Sequence, residues 1–260
     1  MERVHIVGVS PRTGTTLLFE AMRACFAIDA SEEHEVNHWK HRRGPDIYLT
    51  KNPADIVSVG PRLAVDRHFH VVAMLRDPRD IIVSRHRIHP TVYYAPLRFW
   101  KFGTAILSRL RQNARFVLLR YEDLVRDPDG IQNFLIQKMK FLRKIAPFRG
   151  FHKIASPSGK SLTALGSLRP FDATSVGVWR NHLPRVAGQI AMYGPITKEL
   201  IELGYEVDAD WLDLLRHIKP DLSPDHFNEA RGRPLWKYRL HGYTDAAVIA
   251  TARLLRIPLV

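Results

Sequence analysis

Short apolar runs alternate with segments of helical periodicity along the first half of the chain. Four runs are rich in branched and other apolar residues and are bounded by polar or turn-forming residues, which is typical of buried parallel strands. They span residues 4–9, 47–50, 70–75 and 116–120. Because helical segments separate them, the pattern predicts an α/β fold with a central parallel sheet flanked by helices.

The second half of the chain is predicted to be more helical. Residues 195–203 begin with a proline and end before Gly204, as expected for the start and the end of a helix. Further helices are predicted near residues 211–215 and over residues 246–255, where Pro258 follows. We therefore expect a helical C-terminal part after the sheet.

The composition is that of an ordinary folded domain with a strong positive charge. The chain has 260 residues, of which 45% are hydrophobic, a formal net charge of +13 and one cysteine. Since it shows no internal repeat and no low-complexity linker, we expect one domain over residues 1–260, with a core over 1–207 and a C-terminal helical extension over 208–260. A single cysteine excludes an internal disulfide framework.

The charge and the absence of targeting patterns limit the function classes. No apolar run of about 18 residues and no secretory signal pattern is present, so we expect a cytoplasmic protein without a transmembrane segment. The positive charge favours an anionic partner, such as nucleic acid, a membrane surface, a polyanionic glycan or a phosphate-rich cofactor. Because no zinc-finger or RNA-recognition motif accompanies the charge, no specific nucleic-acid partner is expected.

Two basic segments concentrate the charge. Residues 130–170 contain eight Lys or Arg residues and no Asp or Glu, with apolar residues between the basic ones. This mixture indicates a helix with a basic outer face. The segment is either a solvated helix face followed by a loop, or a basic wall beside an anionic ligand. The second segment, residues 38–43, is expected to form a surface loop or a helix end.

A glycine-containing loop follows the first predicted strand and precedes a helical segment. Residues 10–16, with the sequence Ser-Pro-Arg-Thr-Gly-Thr-Thr, place backbone N–H groups and a positive helix terminus where an anion can bind. Arg12 adds a fixed charge suited to phosphate oxygens. The loop is not a Walker A motif, because five residues separate Gly8 from Gly14 and no Lys follows Gly14.

Residues 8–18 closely resemble the 5′-phosphosulfate loop of sulfotransferases that use 3′-phosphoadenosine 5′-phosphosulfate (PAPS). Three further segments resemble that family in the same order along the chain. Arg76, at the end of a predicted strand, is followed eight residues later by Ser84, as in the family's 3′-phosphate site. Residues 120–128 are similar to its Tyr-Glu-Asp-Leu segment near the adenine, and residues 176–183 to a segment near the end of its catalytic domain. The style of the motifs, including a tail over residues 191–205, is closest to bacterial, tyrosylprotein and Golgi-type carbohydrate sulfotransferases.

The resemblance implies a P-loop-like three-layer fold, PAPS as donor, PAP as product and no required metal. It implies donor binding by ten residues. These are Pro11, Arg12, Thr13, Gly14, Thr15, Thr16, Arg76, Ser84, Tyr121 and Arg180.

The resemblance also implies catalytic roles. Arg12 and Lys51 are expected to neutralise the charge that develops on the departing phosphate. The general base, a Glu or a His in related families, is expected in the segment 31–35, where the candidates are Glu32, Glu33, His34 and Glu35. Comparison with tyrosylprotein sulfotransferases selects Glu33, comparison with heparan-type enzymes selects Glu32, and Glu35 stays open; we choose Glu33. The catalytic His of the cytosolic phenol and steroid enzymes has no counterpart, since Pro53 stands at its position.

The expected acceptor is a hydroxyl of a carbohydrate or glycolipid, including an anionic one. A tyrosyl peptide or a small-molecule hydroxyl is the first alternative. A kinase-like P-loop phosphotransferase and a non-enzymatic polyanion-binding protein are the others. The acceptor site is expected in three segments, residues 34–46, 87–103 and 145–170.

Several remaining residues are expected to be structural. Histidine pairs such as His34 with His38, and His86 with His89, have no third ligand at a metal-binding spacing, so these residues are expected on the surface. Cys25 is expected to pack in the core on the first helix. The same is expected of four tryptophans. These are Trp100, Trp179, Trp211 and Trp236.

Overall fold

The computed structural model describes residues 1–40, 44, 46–85, 89–229 and 235–254, apart from the side chains of residues 228, 229, 235–239 and 253. Its centre is a five-stranded parallel sheet with the strand order β2-β3-β1-β4-β5. The strands are β1 (Glu2–Gly8), β2 (Ala30–Ser31), β3 (Ile47–Lys51), β4 (Phe69–Leu75) and β5 (Phe116–Arg120). The four strands predicted from apolar runs are confirmed, while the two-residue β2 was not predicted.

Helices surround the sheet and form most of the second half of the chain. The α-helices are α1 (Thr15–Cys25), α2 (Val59–Val65), α3 (Pro78–Ile82), α4 (Leu97–Leu110), α5 (Tyr121–Arg126), α6 (Pro128–Lys138), α7 (Gly159–Leu165), α8 (Leu183–Tyr193), α9 (Thr197–Glu202), α10 (His226–Glu229) and α11 (Leu235–Leu254). Short 3₁₀-helices span Pro53–Val57, Phe148–Lys153, Val178–Asn181 and Asp210–Leu215.

Two apolar clusters lie on opposite faces of the sheet. Side chains alternate along a strand, so Val7 of β1 packs in one cluster and Ile6 in the other. The first cluster joins the sheet to α2, α3, α4, α8 and α9, and the second joins it to α1, α5 and α6. The result is the three-layer, P-loop-like α/β fold predicted from the sequence.

Helix α4 approaches the end of β1 very closely. A Cβ atom added at Gly103 would lie 1.8 Å from the carbonyl oxygen of Val9, far inside van der Waals contact. Only glycine therefore allows α4 to pack at this depth. The contact places α4 directly beside the loop that leaves β1.

A buried polar network lies between β1, β3 and α11. His38 is fully buried, and its Nε2 lies 3.1 Å from Ser58 Oγ. The expectation of a surface position for His38 is therefore wrong, because its backbone N–H also donates to the buried Asp55 at 2.6 Å. Burial lowers the pKa of the neighbouring His5 and raises the pKa of Asp55 to about 6. Residues 41–43 and 86–88, including His86, lie outside the described residues.

The basic segment 130–170 is less helical than predicted. Helix α6 ends at Lys138, so the helix covers only the first of the alternating basic and apolar residues, and a loop follows it. Residues 139–147 form turns, because Met139 and Leu142 fold back onto the second apolar cluster. All eight basic side chains of the segment are exposed.

The C-terminal part largely follows the expected pattern. Helix α9 lies within the predicted 195–203, and a 3₁₀-helix covers the predicted 211–215. Helix α11 begins eleven residues before the predicted start at residue 246, and its predicted end at Leu255 lies outside the described residues. The division into a core and an extension at residue 207 stays a prediction. No helix within the described ranges has the length and apolar character needed to cross a membrane.

Candidate active site

A cavity of about 1080 Å³ lies at the carboxyl edge of the sheet. The chain runs from β1 to β3 on one side and then crosses to β4 on the other, so the strand order reverses beside β1. Crevices at such reversal points are the usual ligand sites of open parallel sheets. Residues that follow β1, β3, β4 and β5 all line this cavity.

The loop over residues 10–16, called the anion loop below, turns sharply between β1 and α1. Arg12 and Gly14 both adopt a positive φ, of 68° and 87° respectively. Thr13 is buried and its hydroxyl donates to the carbonyl oxygen of Ser10 at 3.1 Å, which holds the turn together. A Cβ atom at residue 14 would lie 2.6 Å from the ring of Tyr121, so glycine is required both for the conformation and for the space.

Helix α1 presents an uncapped N-terminus to the cavity. Gly14 is its N-cap and provides no side-chain hydrogen bond, and the first intrahelical bond of this turn runs from Leu18 N to Gly14 O. The preceding amides at the helix start therefore have no intrahelical acceptor. Together with the positive end of the helix dipole, they favour an anion at this point.

Arg76 extends from the end of β4 across the anion loop. It is 8% exposed, and its Nη1 and Nη2 donate to the carbonyl oxygens of Arg12 at 3.1 Å and Ser175 at 2.6 Å. Its guanidinium lies 4.4 Å from the ring centroid of Tyr121, and its buried Nε has no hydrogen-bond partner. Glu122 fixes this strand end by accepting from the backbone N–H of Asp77 at 2.9 Å. Arg76 is thus held in place by two of its five N–H donors, and the other three, including the Nε, remain for a ligand.

Arg12 links the anion loop to the opposite side of the cavity. Its Nε donates to Ser84 Oγ at 3.0 Å, and its guanidinium lies 5.4 Å from the ring centroid of Tyr94. The side chains of Arg12, Arg76 and Ser84 therefore converge on one cavity, although they come from three separate segments.

Aromatic residues form two walls on either side of the anion loop. The Tyr121 wall consists of Tyr121, Phe151 and Phe171, in which the last two rings lie 4.8 Å apart, and Tyr121 donates to or accepts from Ser175 Oγ at 2.7 Å. A second set, called the aromatic wall below, belongs to the other face of the sheet. It consists of Tyr94, Phe99, Phe102 and Phe227.

Three carboxylates line the cavity. Asp80 accepts from the backbone N–H groups of residues 177 and 179, and Asp172 accepts from Thr174. The third carboxylate is that of Glu35. Its Oε1 accepts from Nζ of the fully buried Lys51 at 3.3 Å, and burial lowers the pKa of Lys51. Glu33 has an exposed side chain and does not line the cavity, so the structure does not bring the sequence-based choice of base to the site. Glu32 is engaged elsewhere, with its Oε2 2.7 Å from Lys40 Nζ.

Most of the predicted donor-binding residues line one cavity. Those that do are Pro11, Arg12, Gly14, Thr15, Thr16, Arg76, Ser84 and Tyr121. Thr13 and Lys51 are buried next to the lining residues, whereas Arg180 stacks on Trp179, 4.4 Å from its ring centroid, and does not line the cavity. Of the eight basic residues in segment 130–170, Arg169 alone lines it.

The sequence reasoning missed part of the lining. Ser10 lines the cavity with a buried hydroxyl that has no partner. Its position in the anion loop would have been enough to identify it from the sequence. Phe227 was also missed, because it comes from the C-terminal part, far from every motif. The predicted packing of Cys25, Trp100, Trp179 and Trp211 in the core is confirmed.

Comparison with known proteins adds little. No protein-family model matches the chain, and no curated protein matches it. Among solved structures 28 chains match, including the sulfotransferase domain of the olefin synthase from Synechococcus PCC 7002. That domain is 15% identical, with a TM-score of 0.48, and the match covers 69% of this chain and 87% of that chain. At this identity and TM-score we draw no conclusion from the likeness.

Proposed function

We propose that the chain is a PAPS-dependent sulfotransferase, which moves a sulfo group from PAPS to a hydroxyl of an acceptor. One observation carries the proposal. Arg12, Arg76 and Ser84, which the sequence motifs name from separate segments, meet at the uncapped N-terminus of α1 in one cavity. A phosphate-rich donor needs this combination of fixed positive charge, hydroxyl groups and backbone amides.

The donors at the site suit the anionic groups of PAPS. The buried Nε of Arg76 and Oγ of Ser10 have no partner, and each would otherwise cost free energy through burial. The anion loop, with Thr15 and Thr16, would hold the 5′-phosphosulfate, and Arg76 with Ser84 would hold the 3′-phosphate. The Tyr121 wall offers ring surfaces on which an adenine can stack.

When bound, PAPS supplies a sulfo group whose bond to the 5′-phosphate oxygen breaks as the bond from sulfur to the acceptor oxygen forms, while the acceptor proton passes to a base. The chain must neutralise the phosphate oxygen that is left, and Arg12 and the α1 amides lie where they can do so. We propose Glu35 as the base, because its carboxylate lines the cavity whereas that of Glu33 does not. Lys51 would keep Glu35 in place through their contact at 3.3 Å.

Binding of PAP, measured by titration calorimetry, tests this proposal. The native chain should bind PAP, and Arg76→Ala should weaken binding roughly 10- to 100-fold, since a hydrogen bond to a charged group contributes about 1.5–3 kcal/mol. Arg109→Ala removes an exposed arginine from α4, outside the cavity, and should bind like the native chain.

Two outcomes would overturn the proposal. The first is a native chain that does not bind PAP at high micromolar concentration. The second is tighter binding of Mg-ATP than of PAP, which the kinase-like alternative predicts. Heparin retention alone would decide nothing, because the exposed basic residues of segment 130–170 account for it.

A further inference from the structure

The aromatic wall is a continuous apolar surface. The rings of Phe99 and Phe227 lie 4.9 Å apart in an edge-to-face arrangement, and those of Tyr94 and Phe227 lie 5.6 Å apart. Ile56 and Val57, from the 3₁₀-helix after β3, extend the same side of the cavity. The surface thus combines residues from three regions that are far apart in sequence.

This wall lies next to the groups that the proposed reaction uses. The Arg12 guanidinium lies 5.4 Å from the Tyr94 ring centroid, so the wall begins where the anion loop ends. Glu35 lines the same cavity as Tyr94, and burial raises the pKa of the Tyr94 hydroxyl. A molecule on the wall would therefore have one end near the proposed base and near the loop that would hold the sulfo group.

The cavity has space for such a molecule in addition to the donor. Ligand pockets commonly measure about 300–1,000 Å³, and this cavity measures about 1080 Å³. The Tyr121 wall lies on the side of the second apolar cluster, and the aromatic wall on the side of the first. If the adenine occupies the Tyr121 wall, the aromatic wall is left for the acceptor.

Three polar side chains that line the cavity are engaged within the protein, and one of them is Arg98, whose Nη2 donates to the carbonyl oxygen of Phe227 at 3.4 Å. The Asn52 amide donates to Asn37 at 2.7 Å and accepts from Ala54 N at 3.1 Å. The two carboxylate oxygens of Asp80 accept from backbone N–H groups of residues 177 and 179. A sugar would bury several hydroxyls here, and each one without a partner costs free energy.

From these contacts we infer that the acceptor is a small apolar alcohol or phenol, with its hydroxyl at one end of an aliphatic or aromatic body. This inference rests on the proposed function and replaces the carbohydrate acceptor expected from the sequence. The apolar body would pack on Phe99, Phe102 and Phe227, and its hydroxyl would point to Glu35. Burial of that body supplies the binding free energy, while the single hydroxyl keeps a partner.

Sulfation assays with labelled PAPS test the inference, with naphthol, octanol and N-acetylglucosamine as acceptors. We expect kcat/KM for naphthol or octanol to exceed that for the sugar at least about 100-fold. The ratio between naphthol and octanol then distinguishes an aromatic from an aliphatic body. A preference for the sugar would overturn the inference, while PAP binding by the same protein would leave the proposed function intact.

Comparison of the acceptor KM of two variants tests whether the acceptor binds to the aromatic wall. Phe99→Ala should raise KM for the preferred apolar acceptor about 10-fold or more and leave PAP affinity unchanged. Phe141→Ala is the matched control, since Phe141 is similarly half-buried but packs on His70, outside the cavity. Equal KM values for the two variants would contradict the assignment. If Phe99→Ala fails to fold, as judged by circular dichroism, Phe99→Leu takes its place.

If none of the three acceptors is sulfated, a direct measurement of acceptor binding tests the inference. Naphthol and octanol are titrated into the PAP complex of the native chain and followed by calorimetry. Binding of one of them with a dissociation constant below about 1 mM supports the inference. Absence of binding by both, in a chain that binds PAP, overturns it without touching the proposed donor site.

Discussion

The anion loop and the aromatic wall face the same cavity, but they are built in different ways. The anion loop is one short segment, held by a hydrogen bond from Thr13 to Ser10 and by the rigid Arg76. The aromatic wall is assembled from residues between 94 and 227, by ring contacts and by the hydrogen bond from the backbone N–H of His226 to the carbonyl oxygen of Tyr93. The difference teaches that a charge-binding site can be local in sequence, whereas an apolar surface is a product of the whole fold.

The largest expected effect concerns Glu35, which lies between the two regions. Glu35→Gln should lower kcat roughly 10²–10⁴-fold with little change in PAP affinity, because an amide cannot accept the acceptor proton. Initial rates and PAP titrations measure the two quantities. Glu33→Gln is the matched control and should retain its activity, since its side chain is exposed outside the cavity. The reverse pattern would restore Glu33 as the base.

The next effect should fall on the anion loop alone. Gly14→Ala introduces a side chain at φ 87° and only 2.6 Å from the Tyr121 ring, so it should weaken PAP binding roughly 100-fold or more. Gly204→Ala also places a side chain at a positive φ, of 71°, but meets only the flexible end of Arg120 at 3.4 Å. Calorimetry should therefore show native PAP affinity for the control. If both variants lost PAP affinity equally, backbone strain at a positive φ would explain the loss, and the Tyr121 contact would not be needed.

A smaller effect, on stability, is expected where α4, which carries part of the aromatic wall, contacts Val9 beside the anion loop. Gly103→Ala forces α4 away from Val9 and should destabilise the protein by about 1–3 kcal/mol. Gly159→Ala, at the start of α7, meets nothing within 4 Å and should leave the melting temperature almost unchanged. Differential scanning calorimetry compares them. A native melting temperature for Gly103→Ala would show that α4 is free to shift.

The smallest effect concerns Cys25, at the C-terminal end of α1. The rate at which its thiol is modified tests how firmly this end of the helix is packed. Burial raises the pKa of the Cys25 thiol to about 11, so only about one thousandth is thiolate at pH 8. Iodoacetamide should modify the folded protein at least about 100-fold more slowly than the protein in urea. Rapid modification of the folded chain would show that the C-terminal end of α1 opens readily.

The sequence predicted the parts of the molecule that depend on local pattern. Buried strands require continuous apolar runs, so β1, β3, β4 and β5 were found, whereas the polar two-residue β2 carries no such signal. The anion loop was found because its residue types must follow one another directly. These features are determined over about ten residues of chain.

The remaining features depend on distant contacts. Glu33 and Glu35 are chemically equivalent in the sequence, and only the packing of residues 31–38 against β3 brings Glu35 and not Glu33 to the cavity. His38 stands in a basic, polar run, yet partners from Asp55 and Ser58 make its burial possible. Phe227 reaches the aromatic wall from the C-terminal part. No local pattern contains this information.

The close contact of Gly103 with Val9 has a consequence for which residues of α4 can be substituted. Phe99 and Phe102 project from the same helix, one turn and one residue before that contact. Under the proposed function, substitutions of these two side chains would change which acceptors bind, while Gly103 keeps the backbone beside the anion loop in place. One helix therefore carries both a backbone contact that tolerates no side chain and two side chains that can be replaced without moving that contact.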